Sequence, residues 1–303
     1  MASSPSPSSP NLGQQQPSRP NVSIPQTLWD LRVPVFITHK AAPGLPFIAS
    51  VPRFTYLAQL LPRLSAFFGV PCSSFHHEEV QLRNLAVGLL VDLYQPRLPW
   101  VLEVGDGDEW DIRDTFLNGV KEADFVRNGN SKQIMSLSKE HTTALWNAVQ
   151  DTLRSSPVAL GTPVPYQLHR GYRRVHSEGN MHVTTIAVLG RALSLMYIDD
   201  YTAFSKVNAH LLNPPTPLKH VPIRLYIPSS PPDAASGSAP GSFKTLGPAL
   251  RSMLPSLFPS SRDPVLAQVI LHGAPVPFSA PLEELMREAA YPDGWLCLIV
   301  VLL

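Results

Sequence analysis

Two cysteines in 303 residues, Cys72 and Cys297, are too few and too far apart for a disulfide-stapled secreted domain. With no cationic-then-apolar leader over Met1–Pro10, the sequence predicts a reducing compartment, by default the cytoplasm. Long apolar runs are also missing. The longest, Trp295–Leu303, has nine residues, about half of the roughly 18 needed to span a bilayer, and it reads as a buried strand. A formal charge of +1 supplies no global field to draw nucleic acid or an anionic membrane, so partners must be argued from local sites. Gly-rich phosphate loop, serine elbow and zincin helix are all absent, and nothing reads as a catalytic centre.

What is present is a 44% apolar fraction, enough for the cores of two or three domains, and an excess of proline. The 33 prolines are about twice the share of an average chain. Many lie in two low-complexity tracts. Met1–Pro25 is nearly all Ser, Pro, Gln and Asn, and offers too little apolar surface to offset the entropy of ordering it. It is expected to be a disordered tail. Pro228–Ser242 (PSSPPDAASGSAPGS) interrupts a patterned region and reads as a disordered loop insertion.

Between these tracts the chain repeats itself. Val33-Pro34-Val35-Phe36-Ile37 opens one strand-like run, and Val221-Pro222-Ile223-Arg224-Leu225 opens another. TYLAQLLPRLSAFF (Thr55–Phe68) and TLGPALRSMLPSLF (Thr245–Phe258) follow, each with helical apolar spacing and a late proline. Each copy ends in a strand, Trp100–Val104 or Trp295–Val300. Two strands, one amphipathic helix and further strands ending in an apolar one form the pattern of a ubiquitin-like β-grasp. The fold class is therefore α+β, with ubiquitin-like domains at 26–105 and 220–303 flanking a helix-rich domain at 106–219. Two unrelated α+β domains sharing only common patterning are the alternative.

In the middle region, Ile112, Phe116, Val120 and Ala123 recur at intervals of four, four and three, a stripe on one helix face. Asp108 or Asp111 can cap its start, and Asn128-Gly129-Asn130 can stop it. Lys121 follows Val120, about 100° from the stripe, and should be exposed. Further on, Thr152–Ile198 has five arginines, one acid (Glu178) and no sustained periodicity. Excising it joins Trp146 and Val149 to Tyr201, Phe204, Val207 and Leu211 in a nearly continuous helical stripe. The segment reads as an insertion or as a translated intron, with a basic arm for RNA or lipid headgroups as the functional alternative.

Cys72, His76, His77, Glu78 and Glu79 invite a metal or thiol-nucleophile reading. Adjacent His-His and Glu-Glu pairs diverge on a regular element, however, and zinc spacing is missing, so a surface loop is the plainer expectation. A thioester-forming enzyme would need Cys72 at a lowered pKa, which nothing nearby marks. Cys297 sits in an apolar strand as a small core residue. A ubiquitin-like tag ends in a flexible glycine tail, whereas this chain ends LCLIVVLL, which favours recipient over tag. Seven lysines, at 40, 121, 132, 139, 206, 219 and 244, are candidate recipients, and physics alone does not choose among them. The acids Glu122 and Asp124 beside Lys121 favour its charged form and leave deprotonation to a conjugating enzyme.

Eight motifs in order resemble the autophagy protein 5 family: Leu28-Trp29 before VPV, VPRFTYL (Val51–Leu57), GLLVDL (Gly88–Leu93), LPW (Leu98–Trp100), VKEAD (Val120–Asp124), LW (Leu145-Trp146), VPIRLY (Val221–Tyr226) and YPDGWL (Tyr291–Leu296). The resemblance covers Gln26 to Leu303, omitting the 47-residue insert. The resemblance implies a non-catalytic acceptor and scaffold for autophagosome formation, without cofactor or metal. The KEAD lysine, Lys121, would carry the ubiquitin-like modifier autophagy protein 12 through an isopeptide bond, delivered by that system's conjugating enzyme. The conjugate, with the coiled-coil protein autophagy protein 16, would act like a ligase and promote transfer of autophagy protein 8 to phosphatidylethanolamine, in peripheral contact with the preautophagosomal membrane. The coiled-coil partner would lay an amphipathic helix in a groove between domains, with Arg53 as a polar contact or else as a solvated residue at a helix start. An adaptor that is never covalently modified is the rival.

Overall fold

A computed structural model describes residues 23–107, 111–154, 219–228, 235–240 and 243–303, together with 201, 202, 204–206, 208 and 209 of a further helical stretch. Helix α1 (Ile24–Asp30) starts at Ser23, whose Oγ accepts the Gln26 N–H at 3.5 Å, with proline in its first turn. It therefore takes up the last residues of the expected Ser/Pro tail. Its Trp29 is buried and stacks on Phe204, with ring centroids 4.6 Å apart.

Alternation of Val33, Val35 and Ile37 with Pro34, Phe36 and Thr38 gives β1 (Arg32–His39) one buried face. β1 pairs antiparallel with β2 (Phe47–Pro52). The TYLAQLLPRLSAFF run then splits into a 3₁₀ turn, Leu57–Leu60, and α2 (Leu61–Phe68). Its late proline, Pro62, opens the α-helix instead of ending it, because a first-turn residue has no helical N–H bond to lose. Gly69, at φ +71°, closes α2. A hairpin follows, β3 (Ser74–His77) and β4 (Val80–Gln81), with Glu78 and Glu79 at φ +48° and +68° in its turn. The expected surface loop is thus a paired hairpin of the two-residue kind that needs positive φ at both positions. α3 (Val87–Tyr94) leads to β5 (Trp100–Gly105), which pairs parallel to β1. The sheet order is β2-β1-β5-β3-β4.

After α4 (Ile112–Asn128), α5 (Lys132–Ser136) and α6 (Lys139–Arg154), the pattern recurs. β6 (His220–Tyr226), β7 (Ala235–Pro240), α7 (Leu246–Met253), β8 (Ala267–Leu271), β9 (Ala274–Pro275), α8 (Leu282–Ala289) and β10 (Leu296–Leu302) form a sheet ordered β7-β6-β10-β8-β9. Position for position, this is the first topology again. The echo is therefore structural, and the two units are ubiquitin-like folds around a helical middle.

Two expectations need correction. Each unit carries a second helix, α3 or α8, where the pattern suggested one. α3 is a short apolar run, Val87 to Leu90 all buried, and so shows no amphipathic period. Residues 235–240, inside the tract read as a disordered loop, pair with β6 as β7 in register, Leu225↔Ala235 through His220↔Pro240. The exposed edge of β6 supplies backbone partners that composition cannot reveal. The atypical segment after Arg154 lies outside the described residues, and with it the insertion and translated-intron readings.

Each sheet closes its own core against its helices, Val35, Leu60 and Trp100 in the first and Ile223, Leu250 and Leu298 in the second. A third core is shared by all parts of the molecule. Trp29, Phe54 and Leu89 meet Phe116, Val120 and Trp146 of the helices and Tyr226, Trp295 and Ile299 of the second sheet there.

Candidate functional site

α4 begins at Asp111, whose Oδ1 accepts the Asp114 N–H at 3.0 Å, and ends at Gly129 with φ +71°. Of the two capping candidates, the structure uses Asp111; Asp108 lies outside the described residues. Phe116, Val120 and Ala123 turn into the shared core, and Lys121 turns to solvent. Its Nζ donates to Asn118 Oδ1 at 3.4 Å, one turn back.

The acids flanking Lys121 face elsewhere. Asp124 is fully buried; it accepts Asn128 Nδ2 at 2.7 Å and the backbone N–H of Ile134 at 3.0 Å, tying α5 to α4. Glu122 accepts Arg224 Nη2 at 2.6 Å. The expected influence of these two carboxylates on Lys121 is thereby redirected to partners of their own.

Arg224 extends the contact into a clamp. Its guanidinium lies 4.1 Å from the centroid of the Trp295 ring, and its Nη1 is 3.6 Å from Asp293. Trp295 Nε1 donates to the Gly119 carbonyl at 2.9 Å. A Cβ on Gly119 would lie 3.2 Å from Asp293 Oδ2, so glycine lets the helix come this close. Two turns further, Arg127 donates to the Gly294 carbonyl at 3.4 Å. A Cβ on Gly294, which has φ +83°, would run into that guanidinium. Burial lowers Arg127 to about 10 and pushes the Asp293 carboxyl up, with Arg224 the main opposing influence on Asp293. VKEAD and YPDGWL are thus two sides of one contact, which fixes the rotation of α4 and leaves Lys121 facing outward. Sequence reasoning flagged both motifs and VPIRLY but missed this role for Arg224, Asp293 and Trp295, because it depends on a pairing more than 100 residues apart.

Next to Lys121 is a shallow open hollow lined by Lys121, Glu122, Phe125, Val126, Ser131 and Trp295. Phe125, one turn after Lys121, is 57% exposed. The signal was in the helical phase, which puts Phe125 on the face of Lys121 and opposite the stripe of Phe116, Val120 and Ala123, but sequence reasoning did not draw it out.

Arg53 is elsewhere, and it is neither solvated nor free at a surface. It is 8% exposed, with Nη2 2.5 Å from Asp92 Oδ2 and 3.0 Å from the Gly88 carbonyl. Asp92 Oδ2 also accepts the backbone N–H of Gly273 at 3.0 Å, so this ion pair joins α3 to the β8–β9 turn of the other unit. Burial pushes the Asp92 carboxyl up, and Arg53 and the Gly273 N–H oppose the shift. Beside the pair lies His272. Its Nε2 is 2.8 Å from the Ala289 carbonyl, and its ring lies 4.8 Å from Tyr291 and 5.4 Å from Phe54. Burial lowers His272 to about 4.

The Cys72 cluster does not converge. His76 bonds Ser74 Oγ at 2.8 Å and His77 accepts from Trp100 Nε1 at 3.2 Å. Among the described residues no three of His, Cys, Asp or Glu meet in one place. Burial pushes the Cys72 thiol up, away from the thiolate that a thioester-forming cysteine needs. Of the other lysines, Lys40 is paired to Glu103 at 3.3 Å.

Comparison with known proteins gives a consistent result. Family models described as "Autophagy protein ATG5, UblB domain" and "Autophagy protein ATG5, alpha-helical bundle region" match residues 220–300 and 109–154. The chain is 59% identical to autophagy protein 5 of Chaetomium globosum, with 95% of this chain and 92% of that one covered. It is 56% identical to autophagy-related protein 5 of Neurospora crassa, over 93% of this chain and 72% of that one. Identity to autophagy protein 5 of Aspergillus fumigatus is 33%, over 92% and 94%. The crystal structure of Kluyveromyces marxianus Atg5 shares the fold at 18% identity, with a TM-score of 0.62, covering 92% of this chain and 99% of that one.

Proposed function

This chain belongs to the autophagy protein 5 family and has a role in autophagy, and from that premise we propose that it acts as a non-catalytic acceptor and scaffold, joined through Lys121 to the modifier autophagy protein 12. The observation that carries this reading is the geometry of α4. Val120, Ala123 and Asp124 are locked inward and the exposed Glu122 is tied to Arg224, which leaves Lys121 as the motif's solvent-facing head group without a carboxylate partner in its own motif.

The chemistry is aminolysis. The Lys121 ammonium gives a proton to a base on the conjugating enzyme. The free amine then attacks the thioester carbonyl that links the modifier's C-terminus to that enzyme's cysteine. A C–N bond forms, the C–S bond breaks, and the thiolate leaves with its enzyme. The base must come from outside, because Glu122 and Asp124 are spent on other partners.

In this reading the helical face between the two ubiquitin-like units receives an amphipathic helix of autophagy protein 16, and the assembled conjugate promotes lipidation of autophagy protein 8 at the preautophagosomal membrane. Arg53 serves that partner through the seam it fastens, since a direct contact would require the pair with Asp92 to open. No helix among the described residues is long and apolar enough to cross a membrane, which suits peripheral attachment.

The test is an immunoblot of cells expressing wild type or Lys121→Arg. The slower-migrating conjugate should vanish in the variant while capture of autophagy protein 16 is unchanged. A band that persists in Lys121→Arg overturns the acceptor assignment, and the absence of any band in wild type favours an unmodified adaptor.

A further inference from the structure

Lysine is abundant on the surface, so something beyond exposure has to direct a conjugating enzyme to one amine. Other exposed lysines, among them Lys132, Lys139 and Lys244, offer the same head group to solvent. What distinguishes Lys121 is an exposed aromatic ring one turn on at an open hollow, where Lys132 has Met135 in the corresponding place and does not line that hollow. Phe125 leaves 57% of its surface in water and lines the open hollow together with Lys121, Glu122, Val126, Ser131 and Trp295. α4 and α5 also hold Met135, 69% exposed, one residue beyond Ile134, whose N–H is bonded to Asp124. Among the described residues, Phe125 and Met135 are the two large apolar side chains of the helical middle that remain mostly exposed. Exposing an aromatic ring next to an apolar hollow costs solvation free energy in the free chain, and such sites mark protein contacts.

We propose that Phe125, with this hollow, is the anchor by which the thioester-bearing conjugating enzyme recognises the acceptor helix and selects Lys121. This rests on the reading of Lys121 as the acceptor. The occupant follows from the chemistry of the site. Glu122 is paired to Arg224 and Asp124 is buried against Asn128 and the Ile134 N–H, so the proton acceptor must be brought in by the enzyme. That enzyme has to be held with its thioester carbonyl within about 3.5 Å of Nζ for the duration of attack. Residues four apart on a helix lie on the same face, about 5–6 Å between Cβ atoms. An aromatic anchor at that distance places the enzyme over the amine. Glu122 is paired to Arg224 and Trp295 is hydrogen-bonded to Gly119, so the hollow is held in shape before the enzyme arrives.

The experiment is single-turnover discharge of the preloaded modifier–enzyme thioester onto the full-length chain, as a function of acceptor concentration. Phe125→Ala should raise the half-saturating acceptor concentration about tenfold and change the maximal rate less than threefold, with the unfolding midpoint unchanged because the ring is on the surface. Phe125→Leu should recover most of the loss, and Lys121→Arg should give no product. A half-saturating concentration equal to wild type in Phe125→Ala, with Lys121→Arg inactive, overturns the anchor and leaves the acceptor standing. Product formed by Lys121→Arg overturns the acceptor, and the anchor with it.

Discussion

The two ubiquitin-like units share one topology, yet their final strands live in different surroundings. In β5, Trp100, Leu102 and Val104 face the first core, and Val101, 57% exposed, and Glu103 face water. In β10, Leu296, Leu298 and Val300 face the second core, but Cys297 and Ile299 on the other side are buried as well, in the core shared with α4 and α1. The first sheet keeps a wet face, along which Ile48, Phe36 and Val101 stand in one cross-strand row. The second has lost its wet face to the helices. The hairpin turns differ in the same sense. Glu78-Glu79 point to solvent, while the equivalent His272-Gly273 are built into the seam with Arg53, Asp92 and Tyr291. A repeated fold thus becomes an asymmetric molecule because one copy carries the scaffold on its outer face.

This contrast can be broken at the seam, within the sheets, and by acid. Arg53→Ala leaves Asp92 as an unpaired buried carboxylate, and should cost about 3–5 kcal/mol in denaturant unfolding. It should also loosen the β8–β9 turn in hydrogen exchange, and unchanged protection of Gly273 would deny the seam its role. Ile299→Ala should cost about 2–4 kcal/mol, since it opens a cavity in the shared core, while Val101→Ala on the equivalent outer face should stay within about 0.5 kcal/mol. Equal costs would mean that the two faces are not differently covered. The smaller loss comes with pH. With His272 held at about 4 against its ordinary 6.5, the unfolded chain binds a proton between those values that the native chain refuses. The stability is therefore intact above pH 6.5 and declines as pH falls to 4. The loss should be roughly 1–2 kcal/mol, discounted for the ring's partial exposure, and absent in His272→Gln.

Much of this is written in local pattern. The alternating WVLEV against the continuous WLCLIVV already separates a strand with one wet face from one buried on both sides. The phase of Ile112, Phe116, Val120 and Ala123 places Lys121 outside the core, and Gly129 ends its helix as Asn-Gly-Asn suggested. Other parts were not legible. Arg53 in VPRFTYL is indistinguishable by sequence from a solvated helix-start arginine, because its partners Gly88 and Asp92 lie 35 and 39 positions away, and Gly273, which binds Asp92, lies 181 beyond that. β7 was hidden by its Ser/Gly/Pro composition, since pairing with β6 supplies what side-chain propensity does not.

The sequence by itself determined the repeated α+β units, the capped helix α4 and the outward phase of Lys121, since periodicity and caps act within a few residues. Only the tertiary structure decided which sheet face would be covered and where Arg53 and Arg224 would find their carboxylates. Those outcomes depend on which surfaces remain after distant elements have packed, and that competition between faces leaves no trace in any local window.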